Sequence, residues 1–122
     1  MTDLTQSIAW RALTEHVQGQ GAARITGLFT EDAKRVQDFS LSACGLYLDY
    51  SKQRASRETL NRLLKLSEQQ DLSGWIARLF AGEPVNHTEK RAALHMALRN
   101  RSGRAMAIGG KDVMPEVLSV LN

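Results

Sequence analysis

The sequence predicts a mainly α-helical protein with one small β hairpin, an α+β fold class. Apolar residues recur at helical spacing in several stretches, and the spacing changes to two between Phe39 and Tyr50. Glycine or proline follows several of the helical stretches. A chain of 122 residues with 43% hydrophobic and 24% charged content is typical of one globular domain.

The first predicted helix covers residues 4 to about 18. Its apolar positions share one face at helical spacing: Ala9, Trp10, Leu13 and Val17. Trp10 is expected to anchor this face in the core. Gly19 to Gly21 is expected to end the helix, because glycine adopts a left-handed cap with little strain.

A second helical region and a hairpin are predicted next. Ile25, Leu28 and Phe29 share a face that continues to Phe39, with a break expected at Thr30. Apolar residues then alternate on both sides of Cys44 and Gly45, which predicts two short antiparallel strands joined at that dipeptide.

Two further helices follow the hairpin. Ser56 is a favourable N-cap, and the helix after it places leucines on one face: Leu60, Leu63 and Leu64. Leu72 begins the second of these helices, with a stripe formed by Trp75, Ile76, Leu79 and Phe80. Gly82 and Pro84 predict its end.

The stretch from Pro84 to Val117 combines a helix start, a cationic patch and a second helix start. Thr88 and Glu89 suit a helix N-terminus, and the residues from Ala92 to Leu98 are mostly strong helix formers, although some of them also alternate. A helix is favoured here. Gly109 and Gly110 predict a turn after a short extended segment, and Pro115 the first turn of a last helix.

The net charge of +3 is concentrated in this stretch. Six basic residues and two acidic ones lie between Glu83 and Lys111, a local net charge of +4. No aromatic residue is interleaved with the basic ones, so the stacking used by single-strand binders is missing. Nucleic acid is therefore not expected as a partner, and a small basic helical nucleic-acid-binding or interaction module is kept as the alternative function.

Residue patterns for self-contained chemistry are weak. His87 and His95 would lie about 12 Å apart on one helix, too far to share a metal ion. His95 is expected to be a core histidine with a hydrogen-bond partner. Gly110-Lys111 lacks the other residues of a phosphate-binding loop, and Cys44 is expected to be a passive turn residue. No catalytic, cofactor-binding or metal-binding residue is predicted.

Composition also limits the cellular setting. No apolar run approaches the roughly 20 residues that span a membrane, and the first residues lack a secretory signal. One cysteine permits no internal disulfide, which suits a reducing compartment. We expect a cytoplasmic protein without a membrane partner.

Three stretches resemble one enzyme family in the same order along the chain. They are Val36 to Phe39 with Leu48 to Lys52, then Phe80 to Asn86, and the long signature from Thr88 to Ser102 with Gly110 to Val117. Together they resemble the N-terminal segment of glucose-6-phosphate isomerase. The resemblance covers nearly the whole chain.

The resemblance implies a fragment of a larger α/β sugar-isomerase-type enzyme. Such enzymes interconvert glucose 6-phosphate and fructose 6-phosphate without a cofactor, through an enediol formed by a carboxylate base, and a homodimer is expected. Their catalytic glutamate, histidine, lysine and phosphate pocket belong to later parts of the family chain. The resemblance therefore assigns no catalytic residue here and implies that residues 1–122 alone are inactive.

The last predicted helix stops at Asn122 after about two turns, without a glycine or a basic terminator. We therefore expect residues 1–122 to be a single N-terminal segment of a longer chain, with this helix truncated.

Overall fold

Helices dominate the computed structural model, which describes residues 3–20 and 23–121. The chain divides into an N-terminal unit, Met1–Gln70, and a C-terminal unit, Asp71–Asn122. Six α-helices and two short antiparallel hairpins occur in the described residues, so the prediction of a mostly helical fold with a small β part is confirmed.

The N-terminal unit is built on two packed helices. A 3₁₀ turn, Leu4–Gln6, leads into α1, Ile8–Gln20, which packs against α4, Arg57–Gln69. The Gln69 side chain accepts a hydrogen bond from the Ala9 amide at 2.8 Å, and Arg62 donates to the Ala12 carbonyl at 3.0 Å. Gly21 of the predicted helix end lies outside the described residues.

The start of α4 is fixed by the cap that the sequence predicts. The Ser56 hydroxyl accepts from the Thr59 amide, and the Thr59 hydroxyl accepts from the Ser56 amide at 3.0 Å, which makes a reciprocal capping box. Two side chains of α1 join this cap: Gln20 donates to Ser56 at 2.8 Å, and His16 lies 2.8 Å from the Thr59 hydroxyl. The cap therefore also links α1 to α4.

The segment between these helices contains two short helices and the predicted hairpin. Helix α2 covers Ile25–Glu31 and α3 covers Arg35–Asp38, so the helical region breaks two residues later than Thr30. Strands β1, Ser40–Ala43, and β2, Leu46–Asp49, pair antiparallel. Cys44 and Gly45 both have positive φ, 52° and 76°, which is what a tight hairpin turn of this twist requires.

The C-terminal unit begins with α5, Leu72–Phe80, which is capped by Asp71 and ends just before Gly82, as predicted. A 3₁₀ turn, Ala97–Arg99, follows. Strands β3, Ala107–Ile108, and β4, Lys111–Asp112, form the second hairpin around Gly109 and Gly110. Helix α6, Met114–Leu121, has Pro115 in its first turn.

The helix predicted from Thr88 through Leu98 is wrong. The Asn86 side chain accepts from the amides of Thr88 and Glu89, both at 3.2 Å, and a turn through Lys90, with φ 52°, returns the chain to pair with Asn86. Asparagine thus offers the backbone donors an alternative to a helix, and the helical propensity of the following residues does not compensate. Only the 3₁₀ turn at Ala97–Arg99 remains helical in this segment.

Candidate functional site

The arginines between Pro84 and Val117, in the C-terminal unit, fall into two classes according to whether they have an acidic partner. Arg91 forms an ion pair with Glu89, with Nε 3.1 Å from the carboxylate. Within the described residues, Arg99, Arg101 and Arg104 have no carboxylate oxygen within 4.0 Å. Arg99 donates only to the backbone carbonyl of His95, at 3.2 Å. Three of the four arginines in this stretch therefore have no acidic partner among the described residues.

One cavity of this unit contains a carboxylate, a lysine and a histidine. It encloses about 820 Å³ and is lined in part by Glu89, Lys90 and His95. The Glu89 carboxylate receives hydrogen bonds from both Asn86 and Arg91, and its side chain is half-exposed. All of these hydrogen bonds reach one oxygen, Oε2, so they hold the carboxylate in place without occupying Oε1.

A second cavity, which we call the cationic cavity, encloses about 560 Å³ in the same unit. Arg99 and Arg104 contribute its positive charge, and no acidic residue lines it. Its apolar side comes from α5 and from the two methionines that flank residues 97–105. The full lining is Phe80, Met96, Arg99, Asn100, Ser102, Arg104, Ala105 and Met106.

The loop that carries these arginines is held by Asn100. Its side-chain amide donates to the Arg104 carbonyl at 2.8 Å, and its oxygen accepts from the Ser102 amide at 3.1 Å and the Ser102 hydroxyl at 2.6 Å. Gly103, with φ 72°, makes the reversal between them possible. Arg101 and Arg104 are thus presented from a loop with its own hydrogen-bond network, and Arg99 ends the 3₁₀ turn just before it.

The three histidines do not form a site. His16 belongs to the α1–α4 cap, and His87 contacts Trp75 edge-on, with ring centroids 5.2 Å apart. The prediction that His95 is a core histidine is wrong, because its side chain is exposed. Within residues 3–20 and 23–121, no group of three His, Cys, Asp or Glu residues could hold a metal ion.

Arg35 of the N-terminal unit forms several hydrogen bonds that the sequence pattern did not predict. It is buried, and it donates to the carbonyls of Ser51 at 2.7 Å, Gln53 at 2.7 Å and Ala55 at 2.9 Å. Its guanidinium carbon lies 4.3 Å from the centroid of the Phe39 ring. Arg35 therefore fixes the loop between β2 and α4. The signal available in the sequence was its position, a charged residue directly before Val36 of an apolar stripe.

The same loop is bound from its other end by Asp49. Its carboxylate accepts from the Ser51 amide at 2.8 Å, and these hydrogen bonds from Ser51, with the nearby Lys52 charge, hold the pKa of Asp49 below its usual value. Hydrogen bonds from Thr5 likewise lower the pKa of Asp3 at the start of the chain. Both carboxylates therefore serve as caps of local turns.

Much apolar surface stays exposed in both units. Phe39, Ala97 and Met114 are the buried hydrophobic residues of the described chain, whereas eighteen large hydrophobic residues are exposed. In α5, two members of the predicted stripe, Ile76 and Phe80, are 47% and 61% exposed. Surfaces of this kind are typical of a chain that packs against further protein.

This chain matches a known protein family. The family model described as phosphoglucose isomerase matches residues 49–122, more than half of the chain. The chain belongs to this family. The matched residues include α4, the whole C-terminal unit and the cationic cavity.

Curated relatives extend the match to the whole chain. Glucose-6-phosphate isomerase of Shewanella sp. (strain ANA-3) is 48% identical over 122 residues, which are 100% of this chain and 22% of the relative. The enzyme of the same name from Hahella chejuensis is 47% identical over 113 residues, 93% of this chain and 20% of the relative. The chain thus spans about a fifth of the length of the curated relatives it matches.

No helix in the described ranges combines the length and apolar character needed to cross a bilayer.

The resemblance found in the sequence is confirmed by the family match and by the curated relatives.

Proposed function

We propose that this chain is the N-terminal part of a glucose-6-phosphate isomerase, an aldose–ketose isomerase that interconverts glucose 6-phosphate and fructose 6-phosphate. The observation that carries the proposal is 48% identity along the whole chain to an enzyme of that name, of which the chain spans 22%. The reaction belongs to the longer protein, and the 122 residues alone are inactive.

The contribution of residues 1–122 to the longer enzyme is structural. In the cavity that contains Glu89 and His95, Asn86 and Arg91 bind one oxygen of the carboxylate, Oε2, and the side chains of Glu89 and His95 are exposed rather than desolvated. The cationic cavity contains neither a carboxylate nor a histidine, so it lacks a base for moving a proton between two carbons. The exposed apolar residues of the β1–β2 hairpin, with Leu72 and Ile76 of α5, support a packing role instead.

A coupled isomerase assay tests this proposal. The purified 122-residue chain is compared with a longer chain that contains it and continues past Asn122 in the same reading frame. We expect turnover from the longer chain and none from the shorter one. Robust turnover by the 122 residues would contradict the structural role, and an inactive but folded longer chain would contradict the parent activity.

The partners of the longer enzyme are part of the proposal. We expect a homodimer in the cytoplasm, with a sugar phosphate as its substrate and with neither nucleic acid nor membrane as a partner. Sedimentation equilibrium on the longer chain tests the dimer. A monomer at all accessible concentrations would remove that element while leaving the activity proposal intact.

A further inference from the structure

Charge distinguishes the cationic cavity from two other cavities in the described residues. The cavity between α1 and α4, about 520 Å³, has Arg62 and Lys65 balanced by Glu58 and Glu68. The cavity beside Asn86 has the Arg91–Glu89 ion pair. Of these three cavities, only the cationic cavity combines two arginines with a lining free of carboxylates. Its positive charge is therefore available to an external anion.

The chemistry of the two arginines narrows the class of anion. A guanidinium presents paired N–H donors that match two oxygens of a phosphate or carboxylate, and such charged hydrogen bonds are stronger than neutral ones. Arg99 uses one of its donors on the His95 carbonyl, which leaves its other donors for a ligand. Two guanidiniums on one cavity suit a doubly charged group better than a single carboxylate.

The apolar side of the cavity indicates what is attached to that anion. Met96 and Met106 are half-buried, whereas the Phe80 side chain is exposed on the surface of α5. Methionine and phenylalanine offer adaptable apolar surface to a ring or a short carbon skeleton. The volume of about 560 Å³ is within the range of small-molecule sites, roughly 300–1,000 Å³.

We propose that the cationic cavity binds a small phosphomonoester, with the phosphate on Arg99 and Arg104 and the carbon skeleton against Phe80 and the two methionines. This site goes beyond the proposed isomerase function, because its lining contains no base that could move a proton between two carbons. Asn100 supports it by holding residues 100–104 in a fixed loop.

The test is a titration of the isotope-labelled 122-residue chain, followed by amide NMR in 0.15 M salt. The probes are inorganic phosphate, phenyl phosphate and the uncharged phenol. We expect saturable shifts centred on residues 96–106 with phenyl phosphate, weaker binding of inorganic phosphate, and no comparable shifts with phenol. Shifts spread over both units, or none at millimolar phenyl phosphate, would overturn the proposal.

Variants of the arginines distinguish a specific binding site from a generally positive surface. The double variant R99Q/R104Q should bind phenyl phosphate at least about tenfold more weakly, because each charged hydrogen bond to the anion is lost. Arg101→Gln is the matched control, since Arg101 lies on the same loop but does not line the cavity. It should change affinity by less than about twofold at this salt concentration. An equal loss in both variants would overturn the proposal.

Two further measurements keep the result interpretable. R99K/R104K keeps both charges without the planar donor pairs, so we expect intermediate affinity; full affinity would contradict the assigned guanidinium geometry. Titration with a short oligothymidylate tests the competing explanation, that the surface binds nucleic acid. If it binds with a steep salt dependence while phenyl phosphate does not bind, the surface is a nucleic-acid surface and the phosphomonoester proposal is wrong.

Discussion

Arg35 provides the sharpest test of how the N-terminal unit is held together. Its guanidinium is buried among aromatic rings and has backbone carbonyls, rather than a carboxylate, as hydrogen-bond acceptors. Arg35→Met keeps an unbranched apolar stem of similar reach but removes every donor. The three carbonyls of the loop between β2 and α4 then lose this partner at once.

The loss of unfolding free energy depends on how accessible each carbonyl is to water once the arginine is removed. Ser51 is only 1% exposed, so its carbonyl is left without a partner at a cost of about 1–3 kcal/mol. Gln53 is exposed and Ala55 half-buried, so their carbonyls can rehydrate at a smaller cost. Loss of the contact between the cation and the Phe39 ring adds about 0.5–2 kcal/mol. We expect Arg35→Met to lower the free energy of unfolding by about 2–4 kcal/mol in all.

Urea unfolding followed by tryptophan fluorescence measures this change. A Trp75→Phe background leaves Trp10 of α1 as the single tryptophan, so the signal reports on the N-terminal unit. Arg54→Met is the matched control, because exposed Arg54 makes one hydrogen bond within the described residues, to the Ala23 carbonyl at 3.2 Å. It should cost less than about 0.5 kcal/mol, as most surface substitutions do.

Arg35→Lys refines the interpretation. A single ammonium can reach fewer of the three carbonyls than the planar guanidinium, so we expect a loss between those of Arg35→Met and Arg54→Met. Unfolding of Arg35→Met and Arg54→Met at the same urea concentration would contradict the stabilising role of Arg35. So would a more stable Arg35→Met, since burial of the charge would then outweigh its hydrogen bonds.

Two further predictions concern backbone geometry and pH. A Cβ on Gly82 would lie 2.4 Å from the Ala107 carbonyl oxygen, whereas one on Gly103, with the same φ of 72°, meets nothing within 4 Å. Gly82→Ala should therefore lower the unfolding free energy by about 1–3 kcal/mol more than Gly103→Ala, and with it the thermal unfolding midpoint. Equal midpoints would contradict the close approach. Because the pKa of Asp49 is lowered in the folded state, its contribution to stability is present above the unfolded pKa near 4 and is lost as the pH falls through the folded value. Unfolding free energies measured from pH 6 to pH 2 should fall less steeply for Asp49→Asn than for the parent chain, and parallel curves would exclude this role.

Local signals in the sequence were sufficient for most elements. The Ser56 cap, the stripe that begins at Leu72 and the turn at Cys44 and Gly45 each depend on residues within a few positions of one another. Capping, helical spacing and positive φ are local effects, so the sequence predicts them without knowledge of the tertiary fold. The helix predicted after Thr88 failed for an equally local reason, since Asn86 bonds the amides that would have begun it.

The sequence by itself determined the family, through long ordered motifs, and the mostly helical class, through spacing. Tertiary structure alone decided that Arg35 binds three carbonyls from 16 to 20 positions away, and that Arg99 and Arg104 share a cavity without a carboxylate. Burial and charge compensation are set by which distant residues meet in space. A linear pattern records the charge of a residue but not the neighbours that neutralise it or leave it free to bind.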